Sequence, residues 1–230
     1  MKRYHSILPL VLQKIGYILA WIIFSIFVRL EVRGREHLVG LKGPVIFAQN
    51  HTGELDSAIF VLALPFLSSL SPLYFVSNPE DKFRTFGWRS YFYGGAFFNM
   101  LGAYPIISGR HNYAIALQNH IYLLRKGRSV CIFPEGKRTP DGNLLPAHGG
   151  VGYLAHTTSL PVVPIANNTF YNLTVGDFFL RRRKIVVTIG QALPSVEVVP
   201  EQNPTVDDYK RGGQRVMDAI GKLIDSRVAP

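Results

Sequence analysis

Short apolar runs alternate with longer amphipathic stretches over most of the chain. The short runs predict buried strands, and they are Pro44–Ala48, Leu73–Val76, Tyr104–Ile107, Ser129–Phe133, Val162–Ile165 and Lys184–Ile189. Asn112–Lys126 carries apolar residues at mostly helical spacing and precedes Gly127, which is typical of a helix that ends there. A last helix is predicted through Val216, Ile220, Leu223 and Ile224. Strands that alternate with helices predict an α/β fold, a single domain around a largely parallel sheet flanked by helices.

The N-terminal segment differs from the rest because it holds a long apolar run. Ile15–Val28 contains no charged residue, and Lys14 and Arg29 bracket it. A helix that spans a bilayer needs about 20 apolar residues, so this run is short for that purpose. We expect residues 1–30 to form a membrane-associating helix that dips into the bilayer or barely crosses it. A buried core helix and a signal peptide are the alternatives, although no small-residue cleavage site follows the run.

Composition narrows the class of protein. Of the 230 residues, 47% are hydrophobic and only 17% are charged, yet 25 Lys and Arg against 15 Asp and Glu give a net charge of +10. The apolar content excludes a disordered chain, and a nucleic-acid-binding protein of this basicity would usually carry many more charges. An apolar, basic chain instead favours a bilayer with anionic headgroups as its partner and no nucleic acid.

Cysteine and histidine usage limits the chemistry further. The one cysteine, Cys131, excludes an intramolecular disulfide framework and indicates a reducing compartment, so we expect the cytoplasmic face of a membrane. Cys131 lies inside a predicted strand and is expected to be a small buried hydrophobe rather than a nucleophile. The histidines show no metal-ligand spacing and the Gly-x-Ser-x-Gly motif of serine hydrolases is missing, so no metal site and no hydrolase elbow are predicted.

One histidine, His51, directly follows a predicted strand, where open α/β sheets usually bind ligands. It begins the motif His51-x4-Asp56. In a continuous helix the two side chains would point about 140° apart, so they can meet only if the chain turns at Thr52-Gly53 and Asp56 begins a helix. A carboxylate bonded to one imidazole nitrogen raises the basicity of the other, which suits a general base. The alternative is a surface histidine next to a carboxylate at the start of a helix.

A second cluster, Phe133–Thr139, also follows a predicted strand. It combines the carboxylate of Glu135, the free backbone of Gly136 and the adjacent cations Lys137 and Arg138. The planar fork of arginine and the point charge of lysine both suit a phosphate group. The cluster departs from the Gly-x4-Gly-Lys-Ser/Thr pattern of a nucleotide-binding P-loop. An ordinary polar turn with a solvated pair of Glu135 and Arg138 is the alternative interpretation.

Two further stretches suit a lipid environment. Arg181–Lys184 is a dense basic run, which is usually a solvated face but can contact anionic headgroups beside an apolar anchor. Trp88–Leu101 is rich in aromatic residues, which form either part of the core or the wall of an acyl-chain tunnel.

The two motifs together resemble those of the 1-acylglycerol-3-phosphate acyltransferase family of membrane lipid enzymes. The specific pair is Asn50-His51-x4-Asp56 and Phe133-Pro134-Glu135-Gly136-x-Arg138. Two further blocks are similar to family motifs, namely the proline-flanked Leu160–Ile165 and the segment from Gly102 to Arg110. The resemblance runs over residues 28–193, so residues 31–230 are expected to form the acyltransferase domain.

Two departures from the family concern phosphate recognition. Ile107-Ser108-Gly109 separates Ile106 from Arg110 by two residues more than is usual, and Pro146–Gly150 stands where the family often has a lysine. The identity of the acceptor therefore stays open.

The resemblance implies acyl transfer from a thioester, acyl-CoA or acyl-ACP, to the hydroxyl of a lysophospholipid acceptor in phospholipid biosynthesis. The leading acceptor is 1-acyl-glycerol-3-phosphate, which would give phosphatidic acid. His51 would act as general base, and Asp56 would orient the imidazole and stabilise its charged form. The acceptor headgroup would be bound by Arg110, Glu135, Gly136, Lys137 and Arg138. No cofactor beyond the acyl carrier and no covalent acyl-enzyme would be needed.

Three other functions fit parts of the same sequence. The same chemistry could act on another lysophospholipid, an aminolipid or a glycolipid. A non-catalytic lipid-binding protein could retain the fold. A thioesterase fits less well, because hydrolysis would not require a phosphate-binding cluster.

Overall fold

The computed structural model describes residues 7–41, 43–53, 55–78, 96–107, 112–167, 171, 174–182 and 184–225. The strands of these residues form one seven-stranded sheet, and they are β1 (Arg29–Arg33), β2 (Ile46–Gln49), β3 (Tyr74–Ser77), β4 (Ala103–Pro105), β5 (Val130–Ile132), β6 (Val162–Asn167) and β7 (Lys184–Ile189). The helices of the described residues are α1 (Ile7–Phe27), α2 (Asp56–Ala63), α3 (Ala96–Met100), α4 (Tyr113–Ala116), α5 (Gln118–Arg125), α6 (Gly150–Thr158), α7 (Val175–Phe179), α8 (Ser195–Val198) and α9 (Val206–Asp225), with a short 3-10 helix at Arg35–Leu38.

The sheet is largely parallel, which confirms the predicted α/β fold. Its strand order is β1-β7-β6-β2-β5-β3-β4, and every neighbouring pair is parallel except β6 and β7. The central strands β2 and β6 are buried along their whole length. Parallel strands that are covered on both faces have near-continuous apolar sequences, and this explains why both strands are visible in the sequence.

Helices cover both faces of the sheet, and each face has its own core. One core includes side chains from α5, α6 and α9, such as Leu124, Leu154 and Ile220. The other includes side chains from α1, α2 and α7, such as Phe24, Phe60 and Phe178. The neighbouring strands β2 and β5 are followed by α2 and α6, which lie on opposite faces. A crevice therefore opens at the carboxyl ends of β2 and β5, which is where such sheets bind ligands.

Two elements differ from the sequence predictions. The helix predicted over Asn112–Lys126 is interrupted between α4 and α5, because the carbonyl oxygen of Ala116 accepts the backbone amide of Ile107 (3.2 Å). The second part of this helix, α5, ends before Gly127 as predicted. The φ of 77° at Gly127 favours glycine. β1 has no counterpart among the predicted strands, because its Arg-Leu-Glu-Val-Arg sequence lies half-exposed at the sheet edge and lacks an apolar run.

α1 lies along the domain rather than inside it. Only Pro9, Gln13 and Phe24 of this helix are buried, which excludes the core-helix alternative. Its length and composition would allow it to cross a membrane. α1 ends just before β1 begins at Arg29, so the predicted boundary at residue 30 falls within β1. The division into residues 1–30 and 31–230 stays a prediction.

Candidate active site

His51 and Asp56 meet at the carboxyl end of β2. His51 lies in the loop after the strand, and α2 begins at Asp56. The chain turns between them as the spacing requires, and Nδ1 of His51 lies 2.9 Å from Oδ2 of Asp56. The Asp56 side chain is fully buried, whereas the His51 side chain is 22% exposed. The pair therefore combines an inaccessible carboxylate with an imidazole that a substrate can reach.

Asp56 accepts four further hydrogen bonds. Its Oδ2 accepts the backbone amides of Thr52 (2.6 Å) and Gly53 (2.9 Å). Its Oδ1 accepts the hydroxyl of Thr52 (3.0 Å) and the Nδ2 amide of Asn167 (2.8 Å). Donors of this kind stabilise negative charge in a buried position. Because Asp56 is an acceptor, Nδ1 of His51 carries the shared proton, and Nε2 of the neutral ring holds a lone pair.

Asn167 is a component of the site that the sequence motifs do not include. It ends β6, the neighbour of β2, and it bonds reciprocally with Asn50 at the end of β2. Nδ2 of Asn50 donates to the backbone carbonyl oxygen of Asn167, and the backbone amide of Asn167 donates to Oδ1 of Asn50, both at 2.7 Å. The predicted strand over Val162–Ile165 stops short of Asn167. A polar residue at the carboxyl end of a buried strand is the signal that could have identified it.

Glu135 connects the loop after β5 to His51. It is 1% exposed, and its Oε2 accepts the backbone amide of His51 (3.0 Å) while its Oε1 accepts that of Leu145 (3.3 Å). Burial raises the pKa of the Glu135 carboxyl, and the two backbone amides oppose this shift. These contacts are with the protein's own backbone, and they differ from the headgroup contact that the resemblance implies.

The loop from Phe133 to Thr139 is fixed to His51 at both of its ends. The Phe133 ring stacks on the imidazole with 4.2 Å between centroids and 23° between planes. The backbone amide of Thr139 donates to the His51 carbonyl oxygen (2.9 Å). The residues between these anchors therefore have a defined position relative to the imidazole.

Gly136, Lys137 and Arg138 occupy the exposed part of this loop. Gly136 has a φ of 67°, and a Cβ atom there would lie 2.8 Å from Cδ2 of His148. Both the backbone conformation and the close imidazole require glycine at this position. Lys137 and Arg138 thus project their charges from a turn that is built tightly against His148.

The remaining predicted residues are placed as follows. Arg110 lies outside the described residues, as do Arg183 and most of Trp88–Leu101. Cys131 is fully buried within β5 as predicted, and burial raises the pKa of its thiol well above the usual range. Among the described residues, no group of three or more His, Cys, Asp or Glu side chains could hold a metal ion.

Comparison with known proteins gives concordant matches. The family model "Acyltransferase" matches residues 29–168. The 1-acyl-sn-glycerol-3-phosphate acyltransferase of Limnanthes alba is 30% identical over 200 residues, covering 84% of this chain and 64% of that protein. The human 1-acyl-sn-glycerol-3-phosphate acyltransferase alpha is 28% identical over 196 residues, covering 84% of this chain and 62% of that protein.

The chain spans only part of its relatives. A chloroplastic 1-acyl-sn-glycerol-3-phosphate acyltransferase of Brassica napus is 31% identical over 150 residues, which are 63% of this chain and 39% of that protein. The matched region is therefore between about two fifths and just under two thirds of these relatives' lengths.

A solved structure shares the fold. The crystal structure of the 1-acyl-sn-glycerophosphate (LPA) acyltransferase PlsC from Thermotoga maritima aligns with a TM-score of 0.66 at 17% sequence identity, over 96% of this chain and 80% of that one. The family match takes in more than half of the chain, from the start of β1 to beyond Asn167, and includes both His51 and Asp56. The chain therefore belongs to the acyltransferase family.

Proposed function

We propose that this protein transfers an acyl chain from an acyl thioester, acyl-CoA or acyl-ACP, to the free hydroxyl of a lysophospholipid. The favoured acceptor is 1-acyl-glycerol-3-phosphate, with phosphatidic acid as product, because relatives from a plant and from human carry the corresponding name. The observation that carries the proposal is the 2.9 Å contact between Nδ1 of His51 and Oδ2 of Asp56. It leaves the other imidazole nitrogen to act as a general base.

The first step is removal of a proton from the acceptor hydroxyl by Nε2 of His51. The imidazole side chain is 22% exposed, so a lipid hydroxyl can approach it. Asp56 stabilises the imidazolium that forms. The stacked Phe133 ring and the bond to Asp56 together hold the imidazole in one orientation. Both contacts lower the cost of the proton transfer by fixing its geometry in advance.

The second step is attack of the hydroxyl oxygen on the thioester carbonyl carbon. A C–O bond forms between the oxygen that His51 has deprotonated and the carbonyl carbon, the π electrons of the carbonyl move to its oxygen, and a tetrahedral intermediate results. When this intermediate collapses, the C–S bond breaks and the electron pair leaves with sulfur. The imidazolium returns its proton to the thiolate, which departs as a free thiol. The base is regenerated, and the scheme consumes no cofactor.

The nucleophile in this scheme is the acceptor rather than a protein side chain. Cys131 is fully buried, and burial raises the pKa of its thiol, so the reactive thiolate is disfavoured. The hydroxyl of Thr52, which contacts the pair, donates to Asp56 (3.0 Å). A single displacement without a covalent acyl-enzyme is therefore expected.

The loop after β5 is proposed to bind the acceptor phosphate. Lys137 and Arg138 are exposed, and they lie directly before Thr139, whose amide bonds the His51 carbonyl oxygen. Two cations this close along the chain to the base suit a phosphate whose hydroxyl must reach that base. Arg110 is proposed as a third contact on the strength of the resemblance alone.

Glu135 and Gly136 are proposed to shape the loop around these cations. Both carboxylate oxygens of Glu135 accept backbone amides, one of them from His51. A buried carboxylate would also repel a phosphate, so a positioning role fits Glu135 better than contact with the headgroup. Gly136 permits the left-handed turn against His148.

We also propose that the protein works at a membrane, since its acceptor is a lipid. One side of α1 is docked through Gln13, which bonds the Leu73 and Leu101 carbonyl oxygens, and through the buried Phe24. The helix also exposes large apolar side chains, namely Ile7, Val11, Ile15, Ile18, Leu19, Trp21, Ile22, Ile23 and Ile26. Because Gln13 and Phe24 hold α1 against the domain, we propose that its other, apolar side enters the bilayer while the domain stays beside it. Attachment to the cytoplasmic face stays a prediction.

The test is an acyl-transfer assay with the purified full chain. Labelled acyl-CoA or acyl-ACP is offered with lysophosphatidic acid, another lysophospholipid, an aminolipid and a glycolipid. We expect labelled phosphatidic acid as the fastest-formed product. A higher kcat/KM on an acceptor without a phosphate monoester would show that lysophosphatidic acid is not the preferred acceptor, while acyl transfer from a thioester would still stand. Release of labelled fatty acid alone would indicate a thioesterase, and failure with every acceptor would leave a lipid-binding protein.

A further inference from the structure

The apolar exposure of α1 continues onto α7. Val175, Phe179 and Leu180 are 74%, 56% and 62% exposed. Phe178 stacks on Phe27 of α1 with 5.7 Å between ring centroids, and Phe179 meets the same ring edge-on at 5.0 Å. These contacts join the two helices into one surface. We define the α1–α7 surface as the exposed apolar side chains of α1 together with Val175, Phe179 and Leu180.

Exposed arginines border this surface. Arg181 and Arg182 directly follow Leu180, and Arg29 follows the end of α1. Arg29 is paired in register with Lys184, so the arginines that follow α1 and α7 come to the same corner of the sheet. We define Arg29, Arg181 and Arg182 as the basic rim.

α7 and the C-terminal end of α1 lie at the same end of the sheet as the proposed active site. α7 follows β6, whose last residue, Asn167, bonds Asp56. β7 then returns antiparallel to β6, and β1 runs parallel to β7, so α1 also ends at this end of the sheet. A bilayer in contact with this corner would bring lipid hydroxyls to the end of the sheet that carries His51.

The chemistry of the surface fits a bilayer with anionic headgroups. Aromatic and aliphatic side chains beside arginines are typical of proteins at the membrane interface, because the rings and chains enter the acyl region while the cations reach the phosphates. The chain as a whole carries a net charge of +10. A second copy of the chain would bring an equally basic protein to the rim, which like-charge repulsion disfavours.

We propose that α7 is a second membrane-contact element. Val175, Phe179 and Leu180 enter the bilayer surface, and Arg181 and Arg182 bind anionic headgroups. With α1 it gives two contacts, which fix both the depth and the tilt of the site relative to the lipid. This inference rests on the proposed function, which places the protein at a membrane through α1.

The first test concerns the apolar contact. The purified protein is sedimented with vesicles of phosphatidylcholine, with and without phosphatidylglycerol. Val175→Ser combined with Phe179→Ser is expected to lower vesicle binding about tenfold or more, because two apolar side chains no longer enter the bilayer. Val175→Ser alone is compared with Val196→Ser, which removes a similarly exposed valine (67%) from α8. Equal binding by these two single variants would overturn the proposal.

The second test concerns the basic rim. Arg182→Gln is expected to weaken binding to phosphatidylglycerol vesicles about fivefold and to leave binding to neutral vesicles unchanged. The matched control is Arg125→Gln, which removes an exposed arginine from α5. Equal losses for both arginines would overturn the rim assignment. A change from dimer to monomer in the α7 variants, with vesicle binding unchanged, would make the surface a subunit interface and also overturn the proposal.

An activity assay separates this inference from the proposed function. Acyl transfer to a short-chain acceptor dissolved below its critical micelle concentration is expected to be the same for the α7 variants and the wild type, because no lipid interface is involved. If the wild type transferred no acyl group while the α7 variants still bound vesicles more weakly than the wild type, the proposed function would fail and the membrane contact would stand. If turnover of this dissolved acceptor fell in step with vesicle binding, α7 would support the fold or site instead, and the inference would fail.

Discussion

Asp56 accepts five hydrogen bonds in a fully buried position, whereas Lys137 and Arg138 lie exposed in the neighbouring loop. The two parts of the site face different demands. A general base must keep one orientation while a proton moves, so its support is rigid and preorganised. A headgroup must enter and leave, so its contacts stay open to solvent. The difference predicts that substitutions in the buried part change turnover, while substitutions in the open part change acceptor affinity.

The largest effect is expected from His51→Ala, which removes the base. We expect kcat to fall about 10³-fold to 10⁴-fold, because general-base catalysis contributes on this order. Vesicle binding and the circular dichroism spectrum are expected to match the wild type. The control is His156→Ala, which removes a half-buried imidazole from α6. A His51→Ala enzyme within a few-fold of the wild type would show that His51 is not the base.

The open part of the site is tested next, by Lys137→Gln and Arg138→Gln. Loss of a charge-assisted contact with phosphate is expected to raise KM for lysophosphatidic acid about tenfold or more and to leave kcat nearly constant. Steady-state kinetics over a range of acceptor concentrations separate the two parameters. Lys126→Gln removes an exposed lysine after α5 and serves as the matched control. A loss confined to kcat would place these cations in the chemical step instead.

A smaller effect on turnover is expected from Asn167→Ala. The change removes one donor to Oδ1 of Asp56 and leaves in place the two bonds between the Asn167 backbone and the Asn50 side chain. We expect a free energy of unfolding lower by about 1–3 kcal/mol, the usual cost of leaving a buried polar atom without its partner. Denaturant titration measures this, and kcat is expected to fall about tenfold with KM unchanged. Unchanged stability and kcat would show that the bond contributes to neither.

The smallest effect on turnover is expected from His120→Gln. Unlike His51, His120 is fully buried, and burial lowers its pKa to about 4, although its bond to the Tyr104 carbonyl oxygen acts in the opposite direction. The pKa of His120 is lower in the folded state than in the unfolded state. As the pH falls from the unfolded-state pKa towards the folded-state pKa, only the unfolded state binds the proton, and the free energy of unfolding decreases. The free energy of unfolding of the wild type is therefore expected to fall by about 3 kcal/mol between pH 7 and pH 4 because of His120. His120→Gln is expected to lack this part of the acid dependence in denaturant titrations and to keep its turnover at pH 7. If the free energy of unfolding of both proteins depended on pH in the same way, the lowered pKa of His120 would be contradicted.

The sequence was sufficient where the signal is local. Contact between His51 and Asp56 is expected on condition that the chain turns between them and a helix starts at Asp56, and the structure has both the turn and the helix start. The buried strands around them are visible as apolar runs because they are covered on both faces.

The parts that the sequence did not show depend on strand order. Asn167 reaches Asp56 only because β6 lies next to β2, and Glu135 reaches the His51 amide only because β5 lies on the other side. No pattern within a single segment encodes either neighbour. The same holds for the helix break at Ala116, which a backbone amide from a preceding segment produces.

The central claim is that Asp56 acts through His51, and a double-mutant cycle tests it most directly. Asp56→Asn keeps the size of the side chain. Its new NH2 group can face the side chains of Thr52 and Asn167, which can rotate so that the Thr52 hydroxyl oxygen and Oδ1 of Asn167 accept from it. Its carbonyl oxygen can then still accept from His51, so mainly the charge is lost. We measure kcat for wild type, each single variant and the pair. Asp56→Asn is expected to lower kcat about 10²-fold when His51 is present and hardly at all in His51→Ala, because the charge has no imidazolium left to stabilise. The same loss in both backgrounds would contradict the account.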